Sequence, residues 1–329
     1  MNFLIASHGH CFDGLASATL FLRAVRRSAL GLSPDSKLDF AALGYGPRQP
    51  RPETLAPNFS QLAILDYRYS AQKELCYYFD HHRTAFANAE DRADFEQRRA
   101  ALPSRYVYDE TLTSCTKLLA EHLAQQEGLA LDDISELIRW ADIVDSARFS
   151  DAQAASDYDN PVLQLVSVVE QYGDANFYRQ AAPMLESTPL LDVCRSKLVE
   201  ERYASISPHQ KSYFNLVRSR GVQANRVAFV DLSQDTIHAV SKFAVYAEFP
   251  RALYSVVLAR LKSAFRISVG YNPWCGQARE HDIGTMCAEH GGGGHPVVGG
   301  IALQLNELDR ARTIAKNLAT ALEIEGAPA

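Results

Sequence analysis

Two short apolar runs, LAIL at 62–65 and CYYF at 76–79, each end on an aspartate, Asp66 and Asp80, and no other feature constrains the fold as much. Runs of this length read as buried strands of a parallel sheet, and open parallel sheets bind their ligands beyond the carboxyl ends of the strands. Both carboxylates therefore fall where a site is expected. His81 and His82 follow Asp80 at once. Side chains alternate along an extended chain, so the two imidazoles diverge, and one can bind a metal while the other faces a substrate or another partner. The bland alternatives are a strand-end aspartate that only caps the next turn and two solvated surface histidines.

The N-terminal half alternates strand-like and helix-like segments, as a doubly wound α/β domain does. Residues 2–6 read as a strand, and 14–27 read as a helix with Leu15, Ala18, Phe21, Leu22 and Val25 on one face. His8, His10, Cys11 and Asp13 occupy the turn between them, where imidazole, thiolate and carboxylate ligands stand beside a helix N-terminus that favours phosphate. The alternative is a polar turn in which Asp13 is only a helix cap. The polar stretch 84–105 reads as a surface excursion. Thr113 or Ser114 can cap a helix to about Gln126, and 131–144 reads as another. Asp142 and Asp145 lie three apart in WADIVDSARF, so they share a face if helical. One can complete a metal's carboxylate shell while the other is an ordinary acid, and Asp145-Ser146 can equally form a helix end.

The stretch 145–220 reads as mainly helical, broken at Pro161, Pro183, Pro189 and Pro208, with an inter-domain linker expected near 205–219. From Arg226 a second α/β pattern begins: strand RVAFVDL, a helix from Thr236 to about Glu248, strands in ALYSVVLAR and AFRISVGY, a short helix, a glycine run, strand IALQL and a closing helix from Glu307 to about Leu322. In GGGGHPVVGG the bare backbone at Gly292, Gly293 and Gly294 lets N–H groups approach a phosphate, and His295 can donate a charge-assisted hydrogen bond. A flexible hinge is the alternative. At 329 residues two domains are expected, 1–205 and 206–329. The fold class is α/β: an N-terminal, doubly wound, mainly parallel sheet and a smaller C-terminal α/β domain, with a cleft between them.

Charge narrows the partners. With 33 Lys and Arg against 39 Asp and Glu, the net charge of −6 gives no global field for long duplex nucleic acid, so short anionic substrates are expected instead. No apolar segment reaches the length of a membrane span, and the N-terminus lacks the basic region of a signal peptide. Six cysteines without CxxC spacing suit free thiols in a reducing cytoplasm. The expectation is a cytoplasmic protein without a membrane partner, for which a homodimer is allowed.

In chain order, SHGHCFDG, LDYR, FDHH and IVDSARF resemble the four motifs of the DHH phosphoesterase superfamily, which includes RecJ-type exonucleases, nano-RNases, cyclic dinucleotide phosphodiesterases and family II inorganic pyrophosphatases. GGGGHP resembles the GGGHxxAAG signature of the DHH-associated C-terminal domain, so the resemblance spans nearly the whole chain. It implies a metal-dependent phosphodiesterase that hydrolyses short oligonucleotides, or linear or cyclic dinucleotides, to mononucleotides with water activated by two Mn²⁺ ions. Carried over by position, the first ion takes His8 and Asp66, and the second takes Asp13, Asp66, His81 and Asp145, with Asp66 bridging. Asp66, Asp80 and His82 are then the catalytic set: His82 faces the substrate phosphate and Asp80 orients the neighbouring histidines. Gly292, Gly293, Gly294 and His295 join His82 in substrate binding.

The chain departs from that pattern twice. Cys11 stands where the family carries the first of two aspartates, and a thiolate suits Zn²⁺ or Fe²⁺ better than Mn²⁺, with His10 a further candidate ligand. Gly270-Tyr271 stands where related exonucleases carry an Arg-Ser pair for the substrate. Arg260, Arg266 or Arg279 is then the candidate substitute, and Tyr271 or Trp274 a candidate for stacking on a base. Two other functions stay open: a pyrophosphate or other phosphoanhydride hydrolase, and a nucleotide-binding sensor whose catalytic centre is impaired through Cys11.

Overall fold

The computed structural model describes residues 2–33, 35–45, 49–238, 241 and 243–325. The chain forms two compact units, Met1–Arg148 with Tyr158–Tyr203, and Phe149–Asp157 with Ala204–Ala329. The region expected to be a linker is instead part of one continuous helix, Lys197–Arg220, with Pro208 inside it. Pro183 also lies inside a helix, Ala175–Ser187. An interior proline loses one backbone hydrogen bond and crowds the preceding turn. Buried Ala181, Ala182 and Leu185 hold the helix together around Pro183. Pro161 and Pro189 do mark breaks, at the first residue of helix Pro161–Tyr172 and at the N-cap of helix Leu190–Cys194.

The sheet of the first unit is parallel throughout. It contains β1 (Asn2–His8), β2 (Lys37–Leu43), β3 (Gln61–Leu65), β4 (Leu75–Asp80) and β5 (Tyr106–Tyr108) in the order β2-β1-β3-β4-β5. The chain leaves β1 to one side for β2 and returns on the other for β3, so the strand order reverses between β1 and β3. In open α/β sheets that crevice, at the carboxyl ends, is the expected ligand site. The β1–β3 register pairs Ser7 with Leu65, which brings the next residues, His8 and Asp66, to the same edge. The core beneath that edge holds Leu4, Ala6, Leu62, Ile64 and Tyr78.

The stretch expected as a surface excursion contains a helix, Ala89–Ala101. Phe95 is its one buried residue, so it shows no apolar stripe of period 3.6. Asn88 caps it by accepting from Asp91 N at 2.8 Å, and the i,i+4 pairs Arg92–Glu96 and Asp94–Arg98 support its exposed face.

The second unit carries a mixed sheet of β6 (Gly221–Ala224), β7 (Val227–Thr236), β8 (Tyr254–Arg260), β9 (Phe265–Tyr271), β10 (Gly293–His295) and β11 (Val298–Leu303), ordered β10-β11-β9-β8-β7-β6. Only β7 and β8 pair in parallel. Leu258, Ile267 and Val269 pack with Ala311, Ile314 and Leu318 of the closing helix, Leu308–Glu323. The helix expected from Thr236 is shorter, Ala244–Glu248, because β7 runs on to pair Thr236 with Arg260; residues 239, 240 and 242 of that expectation lie outside the described residues. Among the described residues no helix is long and apolar enough to cross a membrane.

Candidate metal centre

Asp66 follows the last residue of β3 with φ 54, a left-handed conformation that is uncommon for a non-glycine residue. Its backbone N–H donates to Phe79 O of β4 at 2.9 Å, which fixes the turn. The side chain is 1% exposed, and neither carboxylate oxygen has a hydrogen-bond partner. Oδ2 faces His8 Nδ1 at 3.7 Å, while Oδ1 faces His81 Nε2 at 3.6 Å and His82 Nδ1 at 3.7 Å. Burial alone would raise its pKa, but His8, His81 and His82 around it outweigh burial and hold it below the usual carboxylate range.

The chain brings a second cluster against this one. Asp13 is buried in the first turn of helix Phe12–Arg26 and accepts from the N–H groups of Cys115 at 2.7 Å and Thr116 at 2.9 Å, the first turn of helix Cys115–Glu127. Gly14 lets the start of helix Phe12–Arg26 lie against the end of β1, since a Cβ built there would lie 2.1 Å from His8 O. His81 Nδ1 lies 3.2 Å from Leu112 O, a pure acceptor, so Nδ1 carries a proton and donates it. That leaves Nε2 aimed at three carboxylates: Asp145 at 3.4 Å, Asp66 at 3.6 Å and Asp13 at 3.9 Å. Burial pushes both Asp13 and Asp145 up, with repulsion from Asp66 next, and Asp145 reaches about 6. His81 rises to about 10, because Asp66, Asp13 and Asp145 overcome the burial that would lower it.

These groups fit divalent cations. Asp66 Oδ1 and Oδ2 and His81 Nε2 are buried without hydrogen-bond partners, a costly arrangement unless something else meets them. His8, Cys11 and Asp66 offer ligand atoms within 4.8 Å of one another, and so do Asp13, His81 and Asp145, as well as Asp66, Asp80, His81 and His82. A bound cation would supply the missing partner.

Asp80 is fully buried and organises its neighbours. Oδ1 accepts from His81 N at 2.9 Å and from His82 Nδ1 at 2.7 Å, and Oδ2 accepts from the Tyr78 hydroxyl at 3.0 Å. His82 therefore carries its proton on Nδ1 and keeps Nε2 for another partner. Its pKa is raised: burial opposes the charge, and the Asp80 hydrogen bond outweighs burial.

Of the two helix aspartates, Asp145 faces His81, whereas Asp142 is held by Arg148 and Thr113. The structure does not bring His10 to the cluster. With φ 56 its backbone turns the ring outward, where Nδ1 lies 3.2 Å from Glu170 O. Tyr178 is a residue that sequence reasoning missed. Its buried hydroxyl proton is shared by His8 O at 2.7 Å and Cys11 O at 3.0 Å, so it clamps both ends of the ligand-bearing turn. At 170 positions from His8, it gives no local signal.

In the second unit part of the glycine run is a strand of a hairpin and not a uniformly open loop. β10 and β11 pair His295 with Val298 across a tight turn at the sheet edge. A Cβ at Gly292 would lie 2.2 Å from Gly300 O, one at Gly294 2.2 Å from Val298 O, and one at Gly299 2.6 Å from Cys287 Sγ. These glycines let the hairpin close and lie against helix Ile283–Ala288. Gly291 and Gly293 have open space around them, and of the two only Gly291 sits in the left-handed region, with φ 80. His295 and Arg266 are exposed, and Arg279 Nη1 donates to His281 O at 2.7 Å. Gly270 has a packing reason, because a Cβ there would lie 2.6 Å from the buried Tyr246 hydroxyl. Tyr271 donates to Gln277 O, and Trp274 donates to Phe149 O and packs edge-on to Phe243, so both rings are held by their own unit.

No family model matches the chain, and no curated protein does. Solved structures do. A pGpG-specific phosphodiesterase, PggH from Vibrio cholerae, aligns over 99% of this chain and 100% of its own with a TM-score of 0.70 at 17% identity. The DHH domain of a member of a ribosomal protein family aligns over 99% and 87% with a TM-score of 0.57 at 12% identity. Exonuclease RecJ bound to manganese aligns over 97% and 90% with a TM-score of 0.54 at 12% identity. The chain has the α/β fold of these DHH proteins.

Proposed function

We propose that the chain is a metal-dependent phosphodiesterase acting on short oligonucleotides or dinucleotides and releasing mononucleotides. The observation that carries this reading is Asp66, a buried carboxylate with both oxygens unpartnered and turned toward different imidazoles, between two groups of metal-ligating atoms. His8, Cys11 and Asp66 would hold one divalent ion, and Asp13, Asp66, His81 and Asp145 the other. When bound, such ions supply Lewis acidity toward phosphoryl oxygens and a water acidic enough to attack near neutral pH.

The chain's own groups do the positioning. Asp80 fixes His82 with Nδ1–H toward itself, so a proton on Nε2 donates a charge-assisted hydrogen bond to a phosphate oxygen. Leu112 O holds the Nδ1–H of His81, so Nε2 is the atom turned inward and becomes a ligand once its proton is displaced, and Tyr178 fixes the backbone of His8 and Cys11. Residues 1–205 would carry the chemistry and 206–329 bind substrate, with His295, Gly293 and the exposed Arg266 on β9 as contacts. The likeness to a pGpG-specific phosphodiesterase supports a dinucleotide substrate, and the acidic balance disfavours tracking along a long polymer.

Assaying the purified protein with Mn²⁺ on a dinucleotide and on a long single strand tests the reading. Turnover of the dinucleotide, abolished by a chelator and restored by the ion, is the expected result. No phosphodiester turnover in metal-loaded protein would contradict it.

A further inference from the structure

Tyr45 lies two residues beyond β2 and is 49% exposed. An exposed aromatic ring is by itself ordinary on a protein surface. This ring is fixed in advance: it stacks on Tyr67 with centroids 4.5 Å apart and planes inclined by 20°. Tyr67 is itself buried, and its hydroxyl donates to Gly44 O at 2.9 Å, which ties down the residue before Tyr45.

The platform adjoins the metal-ligating cluster. The His8 ring meets Tyr45 edge-on at 5.6 Å and Tyr67 at 6.2 Å, while His8 Nδ1 lies 3.7 Å from Asp66. Arg68 places its guanidinium carbon 5.3 Å from the Tyr45 ring centre. Among the described residues Arg68 is exposed and forms no ion pair. Tyr67 and Arg68 follow Asp66 directly, so the turn that aims the carboxylate also delivers the platform.

A rigid exposed aromatic ring with a planar cation is suited to a flat π-system carrying negative charge nearby. We propose that Tyr45 and Arg68 form a nucleobase subsite, on which the base of a nucleotide stacks while its phosphate lies at the cluster around Asp66. The subsite rests on the phosphodiesterase reading for its role in turnover, but it makes a binding claim of its own. Stacking accepts any base, so its contribution is to favour nucleotides over base-free phosphates.

Titrating guanosine 5′-monophosphate and ribose 5-phosphate into metal-loaded protein tests the subsite without turnover. Wild type should bind the nucleotide about tenfold or more tightly than the sugar phosphate. Tyr45→Leu should reduce nucleotide binding to the level of ribose 5-phosphate, leaving sugar phosphate binding and metal content unchanged, whereas Tyr45→Phe should keep the discrimination. Arg68→Gln should weaken it with no loss of metal. The subsite is overturned if wild type does not discriminate, or if Tyr45→Leu and Arg68→Gln both bind the nucleotide as wild type does. It is also overturned if Tyr45→Leu weakens both ligands equally, which marks a structural role. A protein that discriminates yet hydrolyses no phosphodiester keeps the subsite and removes the hydrolase reading.

Discussion

Asp66 holds a left-handed backbone conformation that costs about 1–3 kcal/mol in a non-glycine residue, and the turn persists because β3 and β4 fix both sides of it. The result is a carboxylate delivered to the sheet edge and surrounded by imidazoles. Their charge state couples metal binding to pH. His81 rises to about 10 under the influence of Asp66, Asp13 and Asp145, against the opposing effect of burial, so at neutral pH Nε2 of the metal-free protein carries a proton that an incoming cation must displace. Raising the pH removes the competing proton, so Mn²⁺ affinity should rise by up to about tenfold per pH unit between pH 6 and 8, with protons released on binding. Calorimetric titration in buffers of different ionisation enthalpy measures both quantities, and a flat affinity without proton release contradicts the ligand assignment. Burial, then Asp66, Asp145 and Asp13, hold the Cys11 thiol well above its ordinary pKa, so only a strongly thiophilic ion removes its proton easily. Cys11→Ser should weaken Zn²⁺ relative to Mn²⁺, and Cys11→Asp should shift preference toward Mn²⁺. Competition titrations check this, and unchanged preference in both variants would show that Cys11 only packs beside the cluster.

At the scale of elements, the glycine-rich hairpin separates packing from binding. Gly299→Ala drives a Cβ to 2.6 Å from Cys287 Sγ, and such overpacking costs about 1–3 kcal/mol, whereas Gly293→Ala meets nothing within 4 Å. Thermal denaturation should show a lowered Tm for the first and little change for the second. Equal Tm values would mean that the hairpin is not held against helix Ile283–Ala288. The same contrast shows what the sequence could reveal. β1, β3 and β4 are legible because they are buried on both faces and read as apolar runs. The edge strands β5, β6 and β10 are short or partly exposed and give no such run, β2 carries one only in its second half, 40–43, after a polar start, and helix Ala89–Ala101 has a single buried anchor. Ligand-type residues stand out where they adjoin a strand end, as His8, Asp66 and Asp80 do. Contacts made across the sequence leave no local trace, among them the Tyr178 hydroxyl, Leu112 O and the N–H groups that hold Asp13. His10 looks like a ligand from crowding alone, and its positive φ is what turns it away.

For the whole molecule, one unit carries the ligand-rich sheet edge and the other carries the glycine hairpin, within a fold shared with DHH proteins. The central claim is that this sheet edge is a dinuclear centre spanned by Asp66. Asp66→Asn keeps the size and shape of the side chain but removes the charge that two cations would share, so hydrolysis should fall by several orders of magnitude while the fold is kept. The most direct measurement pairs a Mn²⁺ titration with dinucleotide turnover in wild type and Asp66→Asn, with circular dichroism to establish that both are folded. Two equivalents bound and turnover in wild type, with fewer equivalents and turnover lost in the variant, is the predicted result. A folded Asp66→Asn protein that binds metal and turns over dinucleotide as wild type does would contradict the account.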